Sequence, residues 1–344
     1  MSGWHVERLG GGLGAWAMAW DHLNRRLNGG HPLLDSRFVD ALLTHFGAGD
    51  EHLCVHRNGQ GVDGLCLLRR KGPGRWESFL PDQAPLGPLL LADAAMLGTL
   101  VRDLPGSCLA LDLLCVDPRF SPDAAAWPGP LRQSGHALTI DVDFSTGAAA
   151  YWAARPKKLI GNLNRYRRRA EAAGWVPRLV HHTAPGDLPA ALQRYGALES
   201  AGWKGRAGTA VAADNPQGRF YLDVLTRFAA SGEAAVHEYR FGERLAASRL
   251  TIAGPSMIVA LKTAYDESLA EYAPGRLLLR DLLDEAFARG QTGSFEFYTN
   301  ATPDQLAWAS GQRPIVHRTL YRNRALHRIH ALFSRWRGQA ETAP

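Results

Sequence analysis

The sequence predicts an α/β (α+β) fold in two domains, each with a mixed, mostly antiparallel sheet flanked by helices, and three observations lead there. The chain has 344 residues, 46% of them apolar, which suits two ordinary globular cores. Short runs with strand-like patterning alternate with stretches of helical periodicity. The order of those elements in the first half returns in the second, as an ancient duplication would leave it.

In the first half, residues 13–27 have helical spacing. A second helix starts at Ser36, which is placed to cap it, with Phe38, Leu42, Leu43 and Phe46 on one face. Strands are expected at 52–56, at 64–69 after the Asn58-Gly59 turn, and at 76–80. A proline-rich loop (81–88), a helix (92–104) and a strongly apolar strand (108–116) follow. Residues 117–130 read as a connection, 137–142 as a strand, and 151–173 as one long basic helix ended by Gly174.

The second half runs in the same order. A strand at 175–182 precedes helices at 188–200 and 218–230 around a polar loop. Strands at 235–240, 245–252 and 257–263 are separated by tight turns at Gly242-Glu243 and Gly254-Pro255, so neighbouring antiparallel pairing is expected. A helix at 275–289, a strand at 294–298, a short helix at 304–310 and a last strand at 315–321 complete it. The expected domains are 1–145, degenerate in its motifs, and 146–325, which carries the chemistry, followed by a basic helix or tail at 326–344.

The first ten residues lack the charged start and apolar centre of a secretory signal. No apolar run approaches the about 18 residues that a membrane-spanning helix needs; the best, 86–101, contains Asp93 and two glycines. Four cysteines stand singly in apolar runs, the usage of a reducing compartment, so a cytoplasmic location is expected. The net charge of +6 is unevenly spread: 155–178 holds eight basic residues and one acid, and 313–340 holds seven arginines and no acid. An anionic ligand or surface near these segments is one reading, two solvated arginine-rich faces the other.

The most informative stretch is Tyr265-Asp266-Glu267-Ser268-Leu269-Ala270-Glu271-Tyr272-Ala273-Pro274-Gly275-Arg276-Leu277-Leu278, between a strand and a helix. A Pro-Gly pair at a helix start leaves backbone N–H groups pointing into open space, and with the positive end of the helix dipole they make an anion site suited to a diphosphate. Arg276 can add a charge-assisted bond.

Residues 198–321 resemble the acetyltransferase domain of the CelD/BcsL-type group, relatives of the Fem peptidyltransferases with tandem GNAT folds. The matching features are Trp203-Lys204 after a helix, the helix from Phe220 to Phe228, the strand ending Leu261-Lys262-Thr263-Ala264-Tyr265-Asp266, the Ala273-Pro274-Gly275 helix start and the strand at 294–298. The usual GNAT loop pattern falls here on Ala270, Ala273 and Gly275, of which only the last matches well. Backbone donors therefore carry the phosphate assignment. A Tyr-Lys pair frequent in the family is replaced by Gln305 and Leu306.

The resemblance implies a tandem GNAT fold and an acyl-CoA-dependent N-acyltransferase, with acetyl-CoA or a longer acyl-CoA as co-substrate and no metal. An amine acceptor, small or saccharide, would attack the thioester within a ternary complex, in polysaccharide or cell-envelope building. Binding of the CoA is expected at Lys262, Ala273, Pro274, Gly275, Arg276, Leu277 and Leu278. Asp266 and Glu296 are candidates to take the amine's proton and Tyr298 to protonate the thiolate. Packing or ion pairing is the plainer role for each. Trp203, Lys204, Arg206 and Tyr265 are expected against the acceptor. Oxyanion donors are expected from main-chain N–H groups near the end of the 257–263 strand, and a pantetheine slot where it splays from 294–298.

His181-His182 point to opposite strand faces, and His327 with His330 lacks a third ligand, so neither pair suggests a metal site. Residues 157–169 carry too few apolar positions for burial. The last helix groups Leu326, Ile329, Phe333 and Trp336 on one side, for packing or, second, for contact with an anionic membrane surface. Two other functions fit the residues: a Fem-like transferase using charged tRNA, with the basic segments on RNA, and a catalytically silent GNAT scaffold binding an anionic ligand.

Overall fold

The computed structural model describes residues 3–202, 211–212, 215–329 and 332. The chain forms two compact units, Met1–Leu138 with Arg313–Pro344, and Thr139–Gln312. Among the described residues no helix is long and apolar enough to cross a membrane.

In the first unit, β1 (Gly3–Arg8), β2 (His52–Asn58), β3 (Gly61–Gly72) and β4 (Arg75–Ser78) form an antiparallel run. A short β5 (Leu89–Leu91) also joins β3. β4 then pairs in parallel with β6 (Ala110–Val116), through Arg75–Ala110, Trp76–Leu111 and Glu77–Asp112. Helices α1 (Ala17–Asn28), α2 (Ser36–Phe46) and α3 (Leu97–Asp103) belong to this unit. Asp35, not Ser36, caps α2, its carboxylate accepting from the Arg37 amide at 3.0 Å. The alternation in β1 is too short to stand out in the sequence, and that strand was not expected. All four cysteines are buried and none forms a disulfide.

The second unit begins with the end of β7 (Leu131–Asp143). Its helices are α4 (Ala148–Ala153), α5 (Lys157–Ala172), α6 (Leu188–Ala201), α7 (Pro216–Ala229), α8 (Pro274–Ala288) and the single turn α9 (Pro303–Leu306). Its other strands are β8 (Pro177–His182), β9 (Ala234–Phe241), β10 (Arg244–Gly254), β11 (Met257–Tyr265) and β12 (Ser294–Glu296). β8 to β11 form an antiparallel run, β11 pairs in parallel with β12, and β12 pairs antiparallel with Asp141–Asp143 of β7. The long basic helix expected over 151–173 is two helices. Pro156 separates them, because it donates no N–H and steers the preceding residue out of the helical region. Gly174 follows at φ +79, as expected for the stop.

The last strand, β13 (Gly311–Tyr321), corrects a second expectation. Its residues 316–321 pair with β6, so it completes the first unit rather than the second. Each unit therefore has one plan: four antiparallel strands, a parallel neighbour, and an antiparallel strand beyond it taken from a distant part of the chain.

The second unit's core joins Leu277, Leu278 and Leu283 of α8 to Val142, Leu159, Leu163 and Phe295. Burying such a stripe is what holds a helix of this length on a sheet. Gly293 sets the start of β12: it has φ +84, and a Cβ there would lie 1.8 Å from the Ser256 carbonyl oxygen. Gly293→Ala should cost about 2–4 kcal/mol through backbone strain and overpacking. Thermal unfolding checks this; an unchanged midpoint would show that β12 can shift without loss.

Candidate active site

The site begins where two strands part. β11 and β12 pair at Met257–Ser294, Ile258–Phe295 and Val259–Glu296, and there the ladder ends, although β11 runs on to Tyr265. Beyond Glu296 the chain passes through Tyr298 at φ +48, a conformation uncommon outside glycine. On its other edge β11 has a bulge: Leu250 pairs with Lys262 but Thr251 with Ala260, so Leu261 is an extra residue in the ladder.

The opening is a cleft of about 700 Å³, within the range of small-ligand sites. Ala260, Leu261, Lys262 and Thr263 line it from β11, with Ile140, Phe297 and Thr299 also in its walls. Ala273, Gly275 and Arg276 line it from the start of α8, and Tyr166, Arg249, Tyr265, Asp304, Gln305 and Trp308 contribute as well.

The α8 terminus is built locally. A 3-10 turn, Glu267–Tyr272, ends at Ala273 in the left-handed conformation (φ 47), and Pro274 opens the helix. The Arg276 and Leu277 amides turn back onto the Ala273 carbonyl, at 2.9 and 3.2 Å. Pro274 has no N–H, so the several donors expected here narrow to the Gly275 amide, which has no backbone acceptor among the described residues. Pro274, Leu277 and Leu278 are buried, and their side chains serve the core rather than the cleft. Gly275 itself is open: an added Cβ would meet only Tyr265 atoms, at 3.9 Å.

The cations around the cleft are partly committed. Arg276 pairs with Asp304. Lys262 lies 3.9 Å from Glu199 and 5.5 Å from the Tyr221 ring centre. Glu199 is buried and also accepts from the Tyr195 hydroxyl (3.1 Å) and the Val211 amide (2.8 Å). Gln305 reaches back to accept from the Thr302 amide at 2.8 Å, completing a capping box.

The three residues expected to handle protons are not among the cleft-lining side chains. Asp266 caps the 3-10 turn, accepting from the Ser268 amide at 3.0 Å, and pairs with Arg244 at 2.6 Å. Burial pushes its carboxyl up, but the Ser268 hydroxyl and amide together with Arg244 outweigh this and hold it below the ordinary carboxylate value. Glu296 is fully buried and accepts from the Ser294 hydroxyl at 2.7 Å. Tyr298 is nearly buried, but its neighbours Phe297 and Thr299 both line the cleft. Tyr265 is 45% exposed and lines the cleft, where acceptor contact was expected. Trp203, Lys204 and Arg206 lie outside the described residues, as do Phe333 and Trp336; Ile329 and Leu332 are exposed.

Two further lining residues carry a signal in the sequence. Arg249 is a charge inside a run of small and apolar strand residues, and Tyr166 is an aromatic within a basic helix. His181 and His182 do diverge, to His237 with Glu285 and to Glu238, respectively.

In the first unit the corresponding notch is filled. Past Glu77–Asp112, the Ser78 hydroxyl accepts from the Leu114 amide (3.1 Å), and the Gly87 amide donates to the Cys115 carbonyl (3.2 Å). A Cβ on Gly87 would lie 2.3 Å from the Leu114 oxygen, so the proline-rich loop occupies that space. Cys115, His136 and His317 come close enough together there to share an ion. However, His317 Nδ1 accepts from the Cys115 amide at 3.0 Å, which puts the ring proton on Nε2 and removes that nitrogen's lone pair.

Residues 157–306 match the acetyltransferase (GNAT) domain family. A comparison with curated proteins finds no match. Among solved structures, FemX aligns with TM-score 0.58 and 8% identity, over 94% of this chain and 99% of that one. A conserved protein of unknown function from Bacteroides thetaiotaomicron aligns with TM-score 0.58 and 11% identity, over 92% and 99%. The C-terminal domain of a protein named for lysylphosphatidylglycerol synthetase, from Agrobacterium fabrum, aligns with TM-score 0.56 and 12% identity, over 90% and 92%. At such identities the likeness establishes the fold alone. The strand plan found in both units is the tandem GNAT fold, the matched segment supplies the acetyltransferase (GNAT) domain, and the protein is an acyltransferase of that fold.

Proposed function

We propose that the cleft binds an acyl-CoA and that the enzyme transfers the acyl group to an amine held in the same complex. The observation that carries this reading is the Gly275 amide, unspent at the start of α8 and lining a cleft formed where β11 and β12 part. A diphosphate there gains that donor, the helix dipole and Arg276. The pantetheine arm then runs between Ala260–Thr263 and Phe297–Thr299. The amine nitrogen attacks the thioester carbonyl carbon, the C–S bond breaks, and CoA leaves as a thiol once it is protonated. Main-chain N–H groups beside the Leu261 bulge receive the developing oxyanion. In this reading the amine nitrogen loses its proton to water in the open cleft, and Tyr298, set between the cleft-lining Phe297 and Thr299, turns to supply the thiolate's proton and regains one from water, while Asp266 and Glu296 hold the frame in which it acts.

Membership of the CelD/BcsL-type group would place the acceptor in polysaccharide or envelope building, as an amine on a small molecule or sugar. The Fem-like reading, with an aminoacyl-tRNA as donor, draws on one feature of the cleft: Tyr166 lines it from α5, whose Lys157, Lys158, Arg165, Arg168 and Arg169 are exposed. RNA binding that weakens steeply with salt would favour it.

Calorimetry with acetyl-CoA and longer acyl-CoAs tests the main reading, which expects saturable binding. Gly275→Ala has room to fold, and it should weaken CoA binding by about tenfold or more by crowding the Gly275 amide. Equal affinity in wild type and variant would move the diphosphate elsewhere. Tyr298→Phe should lower kcat by about 10- to 100-fold with KM little changed, whereas Asp266→Asn should stay within about threefold. A large loss in Asp266→Asn would reverse these two assignments.

A further inference from the structure

The cleft wall holds a buried cation with no counter-ion among the described residues. Arg249 is 6% exposed and stands on β10 opposite Thr263 of β11. Its Nε donates to the Thr263 hydroxyl at 2.9 Å. Its Nη1 is buried and has no acceptor among the described residues, nor does Arg249 form an ion pair with any of them. The half-buried Arg313 and Arg240 are matched, by Asp117 and Glu238, each at 2.8 Å. The other buried arginine among the described residues, Arg318, also has an Nη1 without an acceptor, but it lies over the Trp127 ring in the first unit and does not line the cleft. Burial pushes the Arg249 guanidinium down to about 10, which still leaves it charged at neutral pH. An isolated charge in such a place is costly and is usually neutralised or paired.

The surroundings restrict what the partner can be. The Arg249 Cζ lies 5.7 Å from the Phe295 ring centre and 5.9 Å from that of Phe297. Phe295 sits in the last stretch of β11–β12 pairing and Phe297 just beyond it, so the guanidinium is at the point where the strands separate. In the acyl-transfer reading, on which this inference rests, that is where the reacting ends of the two substrates meet. The aromatic walls leave few donors there. A phosphate, with three oxygens and greater charge, would remain underbound, whereas a planar carboxylate matches a guanidinium fork.

We infer that Arg249 is a specificity-determining residue that binds a carboxylate carried by one of the two substrates, either at the far end of the acyl group or on the amine acceptor. In this reading the Nη1 that has no acceptor among the described residues meets the acid that arrives with the substrate. The binding site then trades stability of the free protein for discrimination.

Two binding arms separate the sources. In the first, calorimetry compares succinyl-CoA with butyryl-CoA, which has the same carbon count but no terminal carboxylate. In the second, a panel of amino acids is compared with the matching carboxamides, with and without CoA present. Wild type should prefer the carboxylate by at least about tenfold in one arm. Arg249→Gln should abolish that preference and Arg249→Lys should retain part of it, while CoA itself binds all three proteins alike. A preference for the carboxylate below about twofold in both arms overturns the inference. So does an Arg249→Gln variant that weakens charged and neutral ligands equally. Failure of CoA to bind wild type counts against the acyl-CoA reading instead, and the amine arm run without CoA still decides the role of Arg249. As a further readout, Arg249→Met should raise the melting midpoint of the ligand-free protein by removing an uncompensated buried charge. A lower midpoint would mark Arg249 as a packing residue and contradict the inference.

Discussion

Three residue pairs set where the cleft of the second unit opens. Met257–Ser294, Ile258–Phe295 and Val259–Glu296 hold β11 beside β12, and the next residues have no partner across the gap. A parallel ladder that stops while one of its strands continues must leave backbone groups and space between the strands. Everything in the site follows from where it stops. Gly293 and the left-handed Tyr298 bracket the short β12, the Leu261 bulge turns the opposite edge, and the left-handed Ala273 aims the start of α8 at the opening. Small local irregularities, each costly alone, are tolerated because the buried leucines of α8 hold the helix and strands in place.

The two units show the same construction with opposite outcomes. Both place a parallel pair of three residues beside an antiparallel run, and both have a left-handed, non-glycine residue near the break, Cys115 in one and Tyr298 in the other. In the first unit Gly87 and the loop around it fill the break, and the polar groups there are satisfied by the chain itself. In the second the break stays open, and the Gly275 amide and the Arg249 Nη1 in its walls have no acceptor among the described residues. Duplication with loss of the site in one copy is a simple account of this difference.

Much of the frame was legible in the sequence because it depends on local patterning. The Gly242-Glu243 and Gly254-Pro255 turns, the alternation around them and the Pro-Gly helix start correctly locate β9 to β11 and α8. What could not be read depends on partners distant in the chain. That β13 pairs with β6, some 200 residues away, leaves no trace in the alternation of either strand. Amide satisfaction at the helix start was likewise hidden: the turn onto the Ala273 carbonyl follows from its left-handed φ, which an alanine does not advertise. Asp266 looked available beside a proposed acyl site, but Arg244, 22 residues earlier, already holds it. Arg249 was visible as a charge in a buried strand, yet its lack of a counter-ion among the described residues is a property of the assembled core.

In the proposed function the Gly275 amide grips the diphosphate of an acyl-CoA in the gap between β11 and β12. Amide hydrogen exchange resolved to single residues, with and without CoA, tests it most directly. Strong ligand-dependent protection is expected at Gly275 and in Leu261–Thr263, with little change in the arginine-rich face of α5. Protection confined to α5, with Gly275 exchanging at the same rate in both states, would contradict it.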